Sequence, residues 1–210
     1  MLVYKQTPQQ ERLNAITHVL GAIFGVLGLI SLIIYNGNKT KWSLFSVIVY
    51  GLSLIILFTA STLYHSVKDA VKKQYFSIVD HISIYLLVAG TYTPVLLITL
   101  HDSLGWTLFY VVWGIAAFGV ILKLFFTGKF EIFSTLLYLV MGWLIVFDFT
   151  NFYKLMRSNG VLLLFFGGLA FTFGILFYAI KKITYNHVIW HVFVLAGAVF
   201  HFFMIFFYVI

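Results

Sequence analysis

Seven successive stretches of about twenty mostly apolar residues run through the chain, at about 14–35, 42–65, 77–99, 104–126, 131–150, 160–180 and 187–210. At 1.5 Å of rise per residue each is long enough, as a helix, to cross the hydrocarbon core of a bilayer. The gaps between them are short, and none could fold by itself. These stretches predict an all-α polytopic membrane protein, a bundle of seven transmembrane helices forming one domain over residues 1–210. Composition agrees: 62 % of residues are apolar and 9 % charged, too little polar surface for a soluble domain of this length. No internal repeat is visible, and an odd number of spans suits an inverted-repeat transporter poorly.

A formal charge of +7 would suit a nucleic-acid partner only as a basic stripe on a soluble surface, whereas here Lys and Arg fall in the short gaps. They orient the bundle instead. Lys5, Arg12, Lys68, Lys72, Lys73, Lys123, Lys129, Lys181 and Lys182 lie on the side of the N-terminus, and Lys39, Lys41, Lys154 and Arg157 on the other. Nine against four over short loops predicts a cytoplasmic N-terminus and an external C-terminus in a cell membrane. The polar segment MLVYKQTPQQERLN lacks a small-residue cleavage site and does not read as a removable signal. Cysteine is absent, which excludes disulfides and thiolate metal sites.

With that orientation the unusual polar residues collect at one depth. His18 follows the start of the first span, Ser61 and His65 close the second, Asp80 and His81 open the third, and His187 and His191 open the seventh. His187 and His191 are four apart and share a helix face, as do Ser61 and His65. Two imidazoles from one span meeting a third from another make a three-histidine set with a vacant fourth position, the arrangement of catalytic rather than structural Zn2+. Asp80 is then placed to act as hydrogen-bond acceptor or general base, and Ser61 as a hydrogen-bond donor to a substrate oxygen. The plain alternative for any one histidine at a span end is snorkelling or a helix–helix hydrogen bond. Several such groups in one membrane layer are costly unless they meet inside the bundle.

Other residues read as structural. His101 is a loop residue on the far side, and His201, about 15 Å beyond His191, braces the bundle or walls an inner cavity. His81, about 100° around the helix from Asp80, is expected to point elsewhere. Glu11, Asn14 and His18 form one stripe, either a capped helix start or a brace for the mouth of the site. Pro94 bends the third span, with Thr91 and Tyr92 available to satisfy the groups it frees. The stretches GAIFGVLG (21–28) and GGLAFTFG (167–174) let helices approach closely.

Four motifs in order, ERLNAITHVLG (11–21), STLYHS (61–66), DHISIYLLVAGTYTP (80–94) and NHVIWHVFVLAGAVFHFF (186–203), resemble the bacterial hemolysin III branch of the progestin/adipoQ receptor family over essentially the whole chain. The resemblance implies zinc ligands at His65, His187 and His191, a water-associated acid at Asp80 and a neighbouring serine at Ser61. Compared with the animal receptors of that family the chain lacks a long N-terminal domain, so their adaptor binding is not expected here. The family is similar to alkaline ceramidases, zinc amidases of sphingoid lipids, which implies a membrane lipid as substrate or ligand.

Three functions stay open at this level: a zinc-dependent hydrolase of a lipid amide or ester, a non-enzymatic sensor or regulator clamped by zinc, and the cytolysin of the family's name. A retinal protein is excluded, since residues 187–210 contain no lysine.

Overall fold

A computed structural model of the protein describes residues 6–210; Lys5 of the basic count and the start of the polar N-terminal segment lie outside the described residues. Seven spans are long and apolar enough to cross a membrane. They are α1 (Pro8–Ile34), α2 (Ser43–Ser66), α3 (Ala70–Pro94, continued by a π turn to Thr99), α4 (Gly105–Phe126), a broken fifth span, α7 (Ser158–Ala179) and α8 (Asn186–Met204, continued by a π turn to Val209). The fifth span joins α5 (Glu131–Gly142), a 3-10 turn (Leu144–Asp148) and α6 (Phe149–Leu155). The all-α, seven-span class read from the apolar runs is the observed one.

Two helices begin well before their apolar runs, and both extensions matter to the site. At α1, Pro8 fills the first helical position and Thr7 forms a capping box with Gln10: the Gln10 amide donates to Thr7 Oγ1 at 3.3 Å, and the Thr7 amide to Gln10 Oε1 at 2.8 Å. Glu11 therefore lies inside the helix. At α3, Asp69 caps the start by accepting from the Lys72 amide at 2.9 Å, adding two polar turns that include Lys73.

Neighbours in sequence pack side by side (α1 on α2, α2 on α3, α3 on α4, α7 on α8), and α1 also packs on α8, closing the ring. The buried stripe of α1 reads Gln10, Asn14, His18, Gly21, Gly25, Gly28 and Leu32. Its polar part meets the site and its glycine part the lipid-depth core. A Cβ at Gly21 would collide with the Phe58 ring of α2, and one at Gly28 with Phe202 of α8, so the small residues do set the helix spacing. In the other stretch, Gly167 lies directly against the His201 imidazole while Gly168 faces open space.

Pro94 has no N–H to return to the turn before it, and the chain relaxes into the wider π turn from Val95 to Thr99. Thr91 and Thr93 donate to the carbonyls of Leu87 and Ala89 at 2.7 and 2.8 Å. Tyr92 departs from the expectation stated above. Its hydroxyl donates to the Gly142 carbonyl at 2.9 Å and accepts from the Ile145 amide at 3.0 Å. It serves the break in the fifth span rather than the one in its own helix, because its ring projects away from α3 into that neighbour.

Two acidic residues that the sequence did not single out turn out to be structural. Asp148 accepts from Ser103 Oγ, the Leu104 amide (3.1 Å) and Asn151 Nδ2 (2.8 Å), fastening the loop before α4 to the fifth span. Glu131 takes Lys123 Nζ on both oxygens at 3.0 Å, which neutralises a lysine with no solvent exposure.

Candidate metal centre

His65 lies in the last turn of α2, while His187 and His191 occupy the first two turns of α8. The start of α8 is set locally. Tyr185 takes a left-handed conformation (φ 61°), and the buried side chain of Asn186 donates to the Phe177 carbonyl at the end of α7, at 3.1 Å. The new helix thus begins with both histidines turned towards α2. One ring nitrogen from each of His65, His187 and His191 lies within 4.8 Å of the others. The ring centroids are 4.7–5.2 Å apart.

The donor set fits a metal ion. Nε2 of His65, Nε2 of His187 and Nδ1 of His191 are buried without a hydrogen-bond partner, three orphaned nitrogens where a folded protein normally tolerates few. Around a tetrahedral ion with bonds of about 2.0–2.1 Å such atoms would sit roughly 3.4 Å apart, an adjustment within reach of side-chain torsions. Three neutral imidazoles leave the cation its full charge and one open position.

His187 and His191 wall a cavity of about 160 Å3 that also receives His18, Ser61, Asp80 and Lys181; the His65 ring packs against both of them from beside it. Ser61 Oγ is buried and unpaired. The Asp80 carboxylate is half-buried on the same wall. Of the five residues expected at the site, Ser61, Asp80, His187 and His191 line one chamber, and His65 lies against the two histidines without lining it. His81 is on its wall as well, contrary to the expectation that it points away. Its Nδ1 donates back to the Ser77 carbonyl at 2.6 Å, which folds the ring along the helix instead of around it. Lys181 lies over the Tyr178 ring at 4.2 Å, and partial burial holds its ammonium below the usual lysine range.

The stripe on α1 reaches the ligands directly. Glu11 Oε2 accepts from His65 Nδ1 at 2.6 Å, and its other oxygen accepts from Lys73 Nζ at 2.9 Å. His18 stacks on His191 with centroids 3.8 Å apart and planes 18° apart. Both readings of this stripe apply: the helix start is capped with Glu11 in its first turn, and Glu11 and His18 contact the histidines. Lys73 carried no signal in the sequence beyond the Asp69 cap that brings it into α3.

A second cavity of about 100 Å3 adjoins the first and shares Leu57, Ile84, Tyr138, Ile175, Trp190 and Val194 with it. Its remaining wall is almost wholly apolar and includes Leu87, Val88 and Met204. His201 lies on that wall while its Nε2 donates to the Leu164 carbonyl at 3.2 Å, so both roles considered for it apply.

A family model described as haemolysin-III related matches residues 6–202. The chain belongs to that family. It is 44 % identical over 206 residues to Hemolysin-3 of Bacillus cereus, covering 98 % of this chain and 94 % of that one. To the Hemolysin-3 homolog of Bacillus subtilis strain 168 it is 42 % identical over 203 residues, with 96 % and 95 % covered. It is also 28 % identical over 213 residues to the human Monocyte to macrophage differentiation factor, with 96 % and 85 % covered. With seven spans and these bacterial relatives, this haemolysin III-related chain is a multi-pass protein of the bacterial plasma membrane that carries a buried histidine cluster capable of holding a metal.

Proposed function

We propose that the protein is a zinc-dependent membrane hydrolase acting on an amide or ester bond of a lipid, in the manner of the progestin/adipoQ receptor family and the ceramidases it resembles. The observation that carries this reading is a polar chamber joined wall to wall with an apolar one. The first is walled by two of the three metal-competent imidazoles, with His65 beside them, and by the Asp80 carboxylate and the Ser61 hydroxyl; the second is lined by hydrocarbon. A lipid with its carbonyl in the first and its chain in the second would satisfy both.

In this reading His65, His187 and His191 hold Zn2+, and when bound the ion supplies Lewis acidity and an acidified water. Asp80, facing the chamber, takes the proton from the attacking water and returns it to the departing amine or alkoxide. Ser61 donates its hydrogen bond to the carbonyl oxygen as negative charge develops there. The continuous apolar wall excludes bulk water from the chain-binding side. With the N-terminus in the cytoplasm, as the basic residues favour, the chamber lies in the inner half of the bilayer.

Removing the carboxylate's charge tests the assignment. Purified Asp80→Asn protein should keep its zinc by elemental analysis and lose turnover of a lipid amide by at least 100-fold, within the range expected for a general base. Wild-type turnover in that variant would falsify the assignment of the base.

A second reading has its own support: the three ligands join the end of α2 to the start of α8, so a bound ion would clamp two spans and report on membrane state without chemistry. There Asp80→Asn would alter stability and leave no activity to lose. Hemolysin-3 as a relative's name raises lysis as a third; purified protein causing no more red-cell lysis than its detergent alone counts against it.

A further inference from the structure

We infer that Glu11 is a positioning residue for the metal centre: it fixes the tautomer and orientation of His65 and raises that ligand's affinity for the ion. The inference rests on the metal-site reading and goes beyond it, since it adds a residue from a span that supplies no ligand.

Three observations carry it. His65 Nδ1 meets Glu11 Oε2 at 2.6 Å, so Nδ1 bears the hydrogen and the lone pair stays on Nε2. That Nε2 is the nitrogen left buried and unpartnered, beside His187 and His191. The second carboxylate oxygen is held by Lys73 Nζ at 2.9 Å, and the same ammonium donates to the Tyr64 carbonyl at 3.1 Å. The carboxylate is thus fixed between α1, α2 and α3 and cannot swing away. A carboxylate behind a histidine ligand makes the imidazole a stronger donor and spares the ion the cost of ordering the ring; losing such a partner typically weakens metal binding by 10–100-fold.

The geometry also explains why α1 extends beyond its apolar run. The Thr7 capping box starts the helix ahead of Glu11, so the carboxylate is carried on a helical turn.

The test uses the full chain, purified in detergent, with zinc affinity measured by competition against a chromophoric chelator and site geometry by the absorption spectrum of the Co2+-loaded protein. Glu11→Gln keeps an acceptor of nearly the same shape and should weaken zinc about tenfold; Glu11→Ala should approach 100-fold. Both should shift the visible Co2+ bands, which a residue that only supports folding would not move. Arg12→Ala, on the exposed side of the same turn, should change neither. If Glu11→Gln stays within threefold of wild type with an unaltered Co2+ spectrum, the positioning role is wrong and the metal centre stands. If the wild-type chain binds neither ion, the metal centre falls and takes the positioning role with it.

Discussion

Whether an imidazole in this bundle is available to a metal depends on what its nitrogens bond and which other donors they reach; His18 keeps both nitrogens buried and unpartnered but is stacked on His191, outside the three-histidine set. His101 spends Nδ1 on Asp102 at 2.8 Å, His81 on the Ser77 carbonyl, and His201 uses Nε2 on Leu164. His65, His187 and His191 each keep a buried nitrogen free in reach of the others. His65→Ala, His187→Ala and His191→Ala should each lower bound zinc to less than about a tenth of wild type in elemental analysis, the scale of losing one of three ligands, while His101→Ala retains it. Equal metal in all four variants would end the ligand assignment. The i,i+4 spacing of His187 and His191 was legible in the sequence, and so was the depth shared with His65. Apart from Asp102 beside His101, the hydrogen-bond partners were not, because they are backbone carbonyls and a residue 54 positions away.

Among the elements, the third and fifth spans show how a break in one helix is repaired by another. Tyr92 is 8 % exposed, and its hydroxyl fills the gap where α5 gives way to the 3-10 turn. Tyr92→Phe leaves the Gly142 carbonyl and the Ile145 amide without that partner, and should cost about 1–3 kcal/mol. Reversible unfolding in mixed micelles would measure it; a change below about 0.5 kcal/mol, the size of a neutral surface substitution, would mean the break satisfies itself. A proline in a long apolar run announces a bend in its own helix. The interruption at Gly142 carries no comparable mark, which is why the fifth span reads in sequence as one uninterrupted segment. The opposite holds for α1 and α3, whose polar first turns lie outside the apolar runs but are marked by the caps Thr7 and Asp69.

At the scale of the molecule, the metal centre ties the last turn of α2 to the first turn of α8, and α1 sits between them. Stripping metal should therefore loosen the closure of the ring. With free zinc held roughly 100-fold above its Kd, chelation should lower stability by about 2.7 kcal/mol, seen as a fall in Tm in detergent, and His191→Ala should show no such fall. A chelator-insensitive wild type would place the histidines outside the stabilising framework. Orientation has a direct check because the chain contains no cysteine. Asp102→Cys, at a side chain 99 % exposed in the loop before α4, should react with an impermeant maleimide on intact cells. Lys72→Cys, at the opposite end, should react only after the cells are opened. The reverse pattern would invert the bundle.

The sequence alone determined the seven spans, their class and the depth at which the chemistry-bearing residues gather, because length, apolarity and the positions of Lys and Arg are set residue by residue against the bilayer. It also brought Ser61, His65, Asp80, His187 and His191 into one shortlist. Only the tertiary structure decided that Ser61, Asp80, His187 and His191 open on one chamber with His65 beside it, that an apolar cavity joins it, and that Glu11 and Lys73 stand behind His65. Those outcomes depend on how far each helix extends past its apolar run and how its face rotates in packing. Both are fixed by contacts between spans distant in sequence, such as glycine of α1 against Phe58 and Phe202, and local patterning contains no record of them.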